Sequence, residues 1–182
     1  FSEKYRTTVI LLMDEVVGHL REKIEIPEAG ELEIVPRKLP KVAPSEYKAY
    51  EFTEDLVPPM ANFGSGYRYN ITGLVHDETG FPTNSTKEAA KLLDRLMAKI
   101  NNNLDDILIY EEGFAQEAET LFIAFGGIVR SVKEAVAILR EQGYNVGYFA
   151  PKTVWPFPEQ RMQEISKNKI ENKEEITVDI KK

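Results

Sequence analysis

Hydrophobic positions fall into three different patterns along this chain, and each predicts a different kind of element. Residues 8–12 (TVILL) are apolar, β-branched and uninterrupted, which reads as a strand covered on both faces of a parallel sheet. The residues before it, FSEKYRTT, read as the tail of a helix. A parallel strand needs neighbours reached through crossover helices. Residues 13–25 mix polar and apolar positions and Pro27 closes them, so no such neighbour follows at once. Phe1 is not an initiator methionine. The expectation is that the earlier part of this domain lies outside the sequence.

A second pattern has no sustained period. Pro27, Pro36, Pro40, Pro44, Pro58 and Pro59 fall in one stretch. Proline removes a backbone donor and fixes φ, so an extended connector is expected, with short edge-strand pieces. Residues 31–35 (ELEIV) alternate and predict one such piece, while Tyr47, Tyr50 and Phe52 would anchor the connector to a surface. In residues 58–83, Gly64, Gly66 and Gly73 lie among Phe63, Tyr67 and Tyr69. Two readings stay open: a self-packed ordered loop, or an interface or ligand loop. With Phe63, Tyr67, Tyr69 and Phe81 carrying much apolar surface, residues 62–82 are expected to be ordered and to pack on another domain or subunit.

The third pattern has helical period. Ser85 and Glu88 form a capping-box pair. Ala89, Leu93, Leu96, Met97 and Ile100 recur as a core stripe. Asn101, Asn102 and Asn103 interrupt the helix, and Leu104, Ile107 and Leu108, with Tyr110 at the limit, resume it. Residues 120–125 (TLFIAF) then predict a buried strand, Gly126 and Gly127 a turn, and Val132, Ala135, Val136 and Leu139 a buried helix face. Gly143 stands where a helix C′ residue belongs. Residues 146–150 predict the next strand, so 120–150 reads as one βαβ unit of a parallel sheet. Pro158 suits the first position of a further helix, with Met162 and Ile165 on its buried side.

Charge and composition narrow the chemistry. The formal net charge is −7 with no long basic run, which argues against nucleic acid or an acidic membrane as a main partner. There is no cysteine, which excludes disulfides, iron–sulfur ligation and a thiol nucleophile within this chain. The longest apolar stretch is far short of the ~20 residues of a membrane span. The chain reads as cytoplasmic, and its two N-x-S/T triplets as chance. Gly126-Gly127 at a strand–helix junction could cradle a phosphate, but it is not a G-x-G-x-x-G fingerprint. His76-Asp77-Glu78 and the looser set Asp14, Glu15 and His19 could suggest acid–base or metal chemistry, yet neighbours on a loop rarely converge on one metal. A structural role is the stronger reading of both. Arg68, His76 and Asp77 are the candidates for interface or cleft contacts; no catalytic, cofactor-binding or metal residue is assigned.

Three stretches taken together go further. YRTTVILLMDEVVGHLRE (5–22), VPPMANFGSGYRYNITGLVHDETGFPT (57–83) and IAFGGIVRSVKEAV…GYNVGYFAPKTVWPFPEQ (123–160) resemble, in that order, the back half of the alpha subunit of 2-oxoacid:ferredoxin oxidoreductases, especially the 2-oxoglutarate type. The resemblance implies oxidative decarboxylation of a 2-oxoacid with coenzyme A, using thiamine diphosphate and Mg2+ held between alpha and beta subunits. Electrons pass through iron–sulfur clusters of a partner subunit to ferredoxin. It implies an α/β fold in which 1–27 ends a pyrimidine-type domain, 28–115 is a connector, and 116–182 is a domain like the C-terminal domain of transketolase. The family's Tyr-Pro-Ile-Thr-Pro element and Arg-Gly-Gly loop, which help grip substrate, do not occur here. After the helix near Pro158 the family runs into an apolar strand and a Glu-Met-Asn element. This chain reads SKNKIENKEEITVDIKK instead, so 167–175 could join two non-contiguous pieces, with Ile176, Val178 and Ile180 alternating like a late strand.

The expected contribution is scaffold, subunit interface and part of a cleft wall, with the beta subunit and possibly further subunits as partners. Alone, the chain is expected to bind neither thiamine diphosphate nor NAD usefully. The alternatives are a non-catalytic assembly or docking module of a larger complex and, less favoured, a nucleotide-dependent Rossmann protein.

Overall fold

The structure, a computed structural model, describes residues 1–170. The chain divides into two compact units. One comprises Phe1–Ile10 and Glu22–Leu104; the other comprises Leu11–Arg21 and the residues from Asp105 onward.

In the first unit, helix α1 (Ser2–Tyr5) ends on Arg6 in a left-handed conformation, φ 42°. The helical tail expected at the N-terminus is therefore present. The connector is extended, as its prolines dictate. Without a strand ladder its backbone groups need other partners, and side chains supply them. Tyr47 Oη donates to the Pro59 carbonyl and accepts from Ala61 N, both at 3.1 Å. Tyr69 Oη donates to Ala61 O (3.1 Å), Tyr67 Oη to Val42 O (2.8 Å) and Tyr50 Oη to Asn70 O (2.8 Å). Tyr47, Ala49 and Ala61 form the small core under these rings, with Tyr50, Tyr67 and Tyr69 packed against it. Tyr67 meets Tyr47 edge-on, with centroids 5.0 Å apart. This unit thus closes on tyrosines that bury a ring and satisfy a carbonyl at once.

Before the next helix, Ser85 Oγ accepts from Glu88 N at 3.3 Å, the first half of the expected capping box. The second half is absent: Ser85 N donates to Thr83 Oγ1, and the Glu88 carboxylate pairs with Lys91. Helix α3 (Thr86–Asn101) follows. Helix α2 (Glu15–His19) belongs to the other unit.

Several expectations are corrected here. Residues 8–12 are not a buried strand: they form no regular element, and Ile10 and Leu11 are 75% and 79% exposed. A strand patterned for burial on both faces needs paired neighbours, and none pairs with it among the described residues. Residues 31–35 likewise lack strand structure and are exposed. On α3 the buried side chains are Arg95, Lys99 and Ile100, whereas Leu93, Leu96 and Met97 are exposed. Periodicity located a helix but not which face this unit covers.

Helix α4 (Leu104–Ile107) resumes after the asparagines, and the second unit continues from Asp105. Strands β1 (Tyr110–Gly113), β2 (Thr120–Ile123) and β3 (Val146–Pro151) form a sheet of order β1-β3-β2. Strand β2 runs parallel to β3, pairing Thr120 with Val146 and Ile123 with Phe149. Helix α5 (Ile128–Glu141) connects them, so the predicted βαβ unit is present. The sheet as a whole is mixed, because β1 runs antiparallel to β3, with Tyr110 opposite Pro151. The parallel sheet expected over 120–150 is present, and the addition to it is β1, which carries polar Glu111 and Glu112 and was not legible as a strand. Central β3 is the most buried strand, as a strand with neighbours on both sides should be.

Gly143 takes φ 88° just past α5. Its N–H donates to Arg140 O and that of Tyr144 to Leu139 O, both at 3.0 Å. That is a Schellman ending, which an L side chain at Gly143 would strain. Val136 is buried and Val132 and Leu139 half-buried, as expected, but Ala135 is exposed. Helix α6 (Glu159–Ile170) starts one residue after Pro158 and packs Ile165 and Met162 on Ala115, Leu121 and Phe149. Arg161 fastens it to β1 by a two-pronged bond to Glu112, at 3.0 Å from Nε and 2.6 Å from Nη2. The expected late strand around Ile176, Val178 and Ile180 lies outside the described residues. No helix among the described residues is long and apolar enough to cross a membrane.

Candidate functional site

Residues 62–82 form an ordered loop on the tyrosine core of the first unit. Tyr67 and Tyr69 pack there, while Phe63 and Phe81 stay exposed, Phe63 at 81%. Two of the four aromatics expected to be covered are therefore not covered by this chain.

The three candidate residues occupy different environments. Arg68 is exposed on the loop. His76 is buried, its ring stacked on Tyr50 with centroids 4.8 Å apart and planes 4° apart, and its Nε2 lies 2.7 Å from Thr72 O. Asp77 folds the loop tip: its Oδ1 accepts from Thr79 N (2.9 Å), Thr79 Oγ1 (2.6 Å), Gly80 N (3.1 Å) and Phe81 N (3.3 Å). The Thr79 hydroxyl first, then these amides, hold the Asp77 carboxyl below its ordinary range. Glu78 faces away toward Lys48 at 3.5 Å. His76, Asp77 and Glu78 thus do not converge on one point, and their hydrogen bonds shape the loop.

The other sequence cluster also separates. His19 pairs with Glu15 at 3.3 Å along exposed α2, while Asp14 Oδ2 accepts from Gly127 N at 2.6 Å. Asp14 therefore fills the anion position at the start of α5 that a phosphate would use. A Cβ on Gly127 would lie 2.5 Å from that carboxylate oxygen, so the second glycine of the pair is what admits it.

Beneath the 62–82 loop lies a group that sequence reading missed. The Arg6 guanidinium bonds the carbonyls of Ala49, Pro58 and Pro59 and lies 5.2 Å from the Tyr50 ring centroid. One turn apart on α3, Arg95 lies 5.4 Å from the Phe52 ring centroid and Lys99 Nζ donates to Arg6 O at 2.9 Å. Arg95 is 4% exposed and Lys99 1%. Burial first, then the charges of Arg95 and Arg6, lower the Lys99 pKa to about 8. In sequence, Arg95 and Lys99 look like any charged i, i+4 positions on a solvated helix face. Nothing in their spacing announces burial.

No group of three His, Asp or Glu able to hold a metal occurs among the described residues. The glycine turn before α5 is filled by Asp14.

Comparison with known proteins places this architecture. Residues 1–95 match the model of the pyruvate flavodoxin/ferredoxin oxidoreductase family, thiamine diphosphate-binding. Residues 118–179 match core domain II of pyruvate:ferredoxin oxidoreductase. The 2-oxoglutarate synthase subunit KorA of Methanocaldococcus jannaschii is 42% identical over 170 residues, covering 93% of this chain and 45% of the relative. The ketoisovalerate oxidoreductase subunit VorB of Methanothermobacter thermautotrophicus is 26% identical over 165 residues, covering 91% of this chain and 39% of the relative. Among solved structures, a 2-oxoglutarate:ferredoxin oxidoreductase from Magnetococcus marinus, with 2-oxoglutarate, coenzyme A and succinyl-CoA bound, matches with a TM-score of 0.70 and 31% identity. That match covers 80% of this chain and 26% of the other. The chain belongs to the pyruvate flavodoxin/ferredoxin oxidoreductase family. The resemblance carried by its three sequence stretches is thereby borne out, and the chain spans less than half the length of the curated relatives it matches.

Proposed function

We propose that this chain is a scaffold and interface segment of the alpha subunit of a 2-oxoacid:ferredoxin oxidoreductase. The complete enzyme would oxidatively decarboxylate 2-oxoglutarate to the acyl-CoA and pass the electrons to ferredoxin. The observation that carries this reading is the level of identity: 33% to 42% to 2-oxoglutarate synthase subunits against 26% to ketoisovalerate oxidoreductase subunits, over about nine-tenths of the chain in each case.

In this reading thiamine diphosphate and Mg2+ sit between alpha and beta subunits, with donors drawn from more than one part of the assembly. The iron–sulfur cluster belongs to a partner subunit, in keeping with a chain that has no cysteine. The assembly is cytoplasmic. Residues 1–27 close a pyrimidine-type domain, 28–115 connect, and 116–182 form a domain like the C-terminal domain of transketolase. The parallel β2-α5-β3 crossover with antiparallel β1 beside it is compatible with the last assignment.

The exposed run Val9, Ile10, Leu11, Leu12 and Met13 supports a covered position in the assembly. Burying one such side chain is worth ~1.5–3 kcal/mol. Arg68, exposed at the loop, is the contact residue, and His76 and Asp77 set the loop shape that presents it. The test is co-expression of the complete alpha subunit with its beta subunit, carrying Arg68→Ala or His76→Ala. Weakened assembly or lower turnover is expected in each variant. Wild-type assembly and turnover in both would leave the loop with a packing role only.

A further inference from the structure

We infer that Arg6, Arg95 and Lys99 form a binding site for one compact oxyanion, the carboxylate or phosphate group of a ligand. The inference does not depend on the proposed reaction.

It begins with hydrogen-bond supply. Arg6 spends its Nη1 on three backbone carbonyls. Among the described residues Lys99 Nζ donates to one acceptor, Arg6 O, although an ammonium has three donors. Arg95 Nε is buried and has no hydrogen-bond partner among the described residues. An unpaired buried guanidinium N–H is costly and uncommon in folded chains. Its presence on a side chain that is 4% exposed points to an acceptor beyond the described residues.

Charge leads to the same conclusion. The groups acting on these cations are Tyr47, Tyr50 and Tyr69, the further cation Arg37, and the carboxylate of Glu78. Glu78 carries the one negative charge in that set at neutral pH, and it pairs with Lys48. Arg37 is engaged by Glu3. Arg95 and Lys99 are thus enclosed beside half-buried Arg6, and Glu78 is the one carboxylate among these groups. An arginine cannot shed its proton, so an entering anion is the means by which Arg95 can be both paired and neutralised. Arginine and lysine on one face suit an oxyanion, with the guanidinium supplying directed donors and the ammonium a point charge.

The test uses the 182-residue chain and follows thermal unfolding by the near-ultraviolet dichroism of the tyrosine cluster. Sodium acetate and sodium phosphate are titrated at pH 7 against sodium chloride of matched ionic strength. A saturable rise in Tm with phosphate alone assigns a phosphate group to the site. A rise with both anions assigns a carboxylate-sized group. The apparent affinity should fall roughly tenfold in Arg95→Gln, the worth of one charge-assisted hydrogen bond. A second measurement needs no variant: the Lys99 Cε resonance should report a higher pKa when the binding anion is present. Equal Tm in all three salts, together with a Lys99 titration indifferent to the anion, overturns the site.

Discussion

Lys99 offers the sharpest test of the packing in the first unit. Its ammonium is 1% exposed and its pKa falls from 10.5 to about 8, through burial first and then the charges of Arg95 and Arg6. A depressed lysine pKa means that the folded state gives up its proton before the unfolded state does. Below about pH 8 both states are protonated and the folded state bears the whole penalty. Between about 8 and 10.5 the unfolded state binds more protons, so stability rises with pH. The full shift corresponds to roughly 3 kcal/mol, at ~1.4 kcal/mol per pKa unit. Tyr50 opposes this at the upper end. Burial raises its pKa above 10, so its contribution declines once the unfolded tyrosine ionises. The comparison that isolates Lys99 is therefore wild type against Lys99→Met, which keeps the stem and removes the amine. The variant leaves the Arg6 carbonyl without its donor, a cost of ~1–3 kcal/mol that offsets much of the relief at pH 7. The slope, rather than the value at one pH, is the readout. Urea unfolding in chloride buffers from pH 7 to about 9.5, followed by tyrosine dichroism, should show wild type gaining stability relative to Lys99→Met. Parallel pH profiles for the two proteins would refute the buried, charge-repelled lysine.

Gly147→Ala should destabilise the second unit by ~1–3 kcal/mol, because the new Cβ would lie 2.6 Å from the Phe114 carbonyl oxygen, a backbone atom that cannot rotate away; Trp155 fluorescence in urea measures it. Phe149→Ala, at a fully buried position in the core of that unit, should cost ~3–5 kcal/mol by the same assay. Asp77→Ala should speed hydrogen exchange at the amides of Thr79, Gly80 and Phe81, which its carboxylate accepts from. In the wild type, lowering pH through the depressed Asp77 pKa should do the same, since a carboxylate stabilised in the folded state loses that contribution on protonation.

Elements that close on their own neighbours were legible in the sequence. The β2-α5-β3 crossover, Gly143 past the helix end, and Met162 with Ile165 under α6 all follow from local period and turn chemistry. Strand β1 was not, because Glu111 and Glu112 serve as ion-pair partners of Lys133 and Arg161 rather than as an apolar face. Residues 8–12 carry a strand pattern without strand structure, since pairing is a property of neighbours and not of the segment. The leucine stripe of α3 and the buried pair Arg95 and Lys99 show the same limit from the other side. Helical period places side chains on faces, and tertiary contacts decide which face is covered. Of the candidate residues, His76 and Asp77 make hydrogen bonds within the loop, while Arg6, Arg95 and Lys99 were invisible because a buried cation and a solvated one have the same spacing.

The most direct test of the proposed function is turnover. The complete alpha subunit containing this chain, co-purified with its beta subunit and supplied with thiamine diphosphate, Mg2+ and coenzyme A, should reduce ferredoxin when 2-oxoglutarate is added. It should do so faster than with 2-oxoisovalerate and release succinyl-CoA. An intact complex that reduces ferredoxin with neither 2-oxoacid would contradict the proposed function.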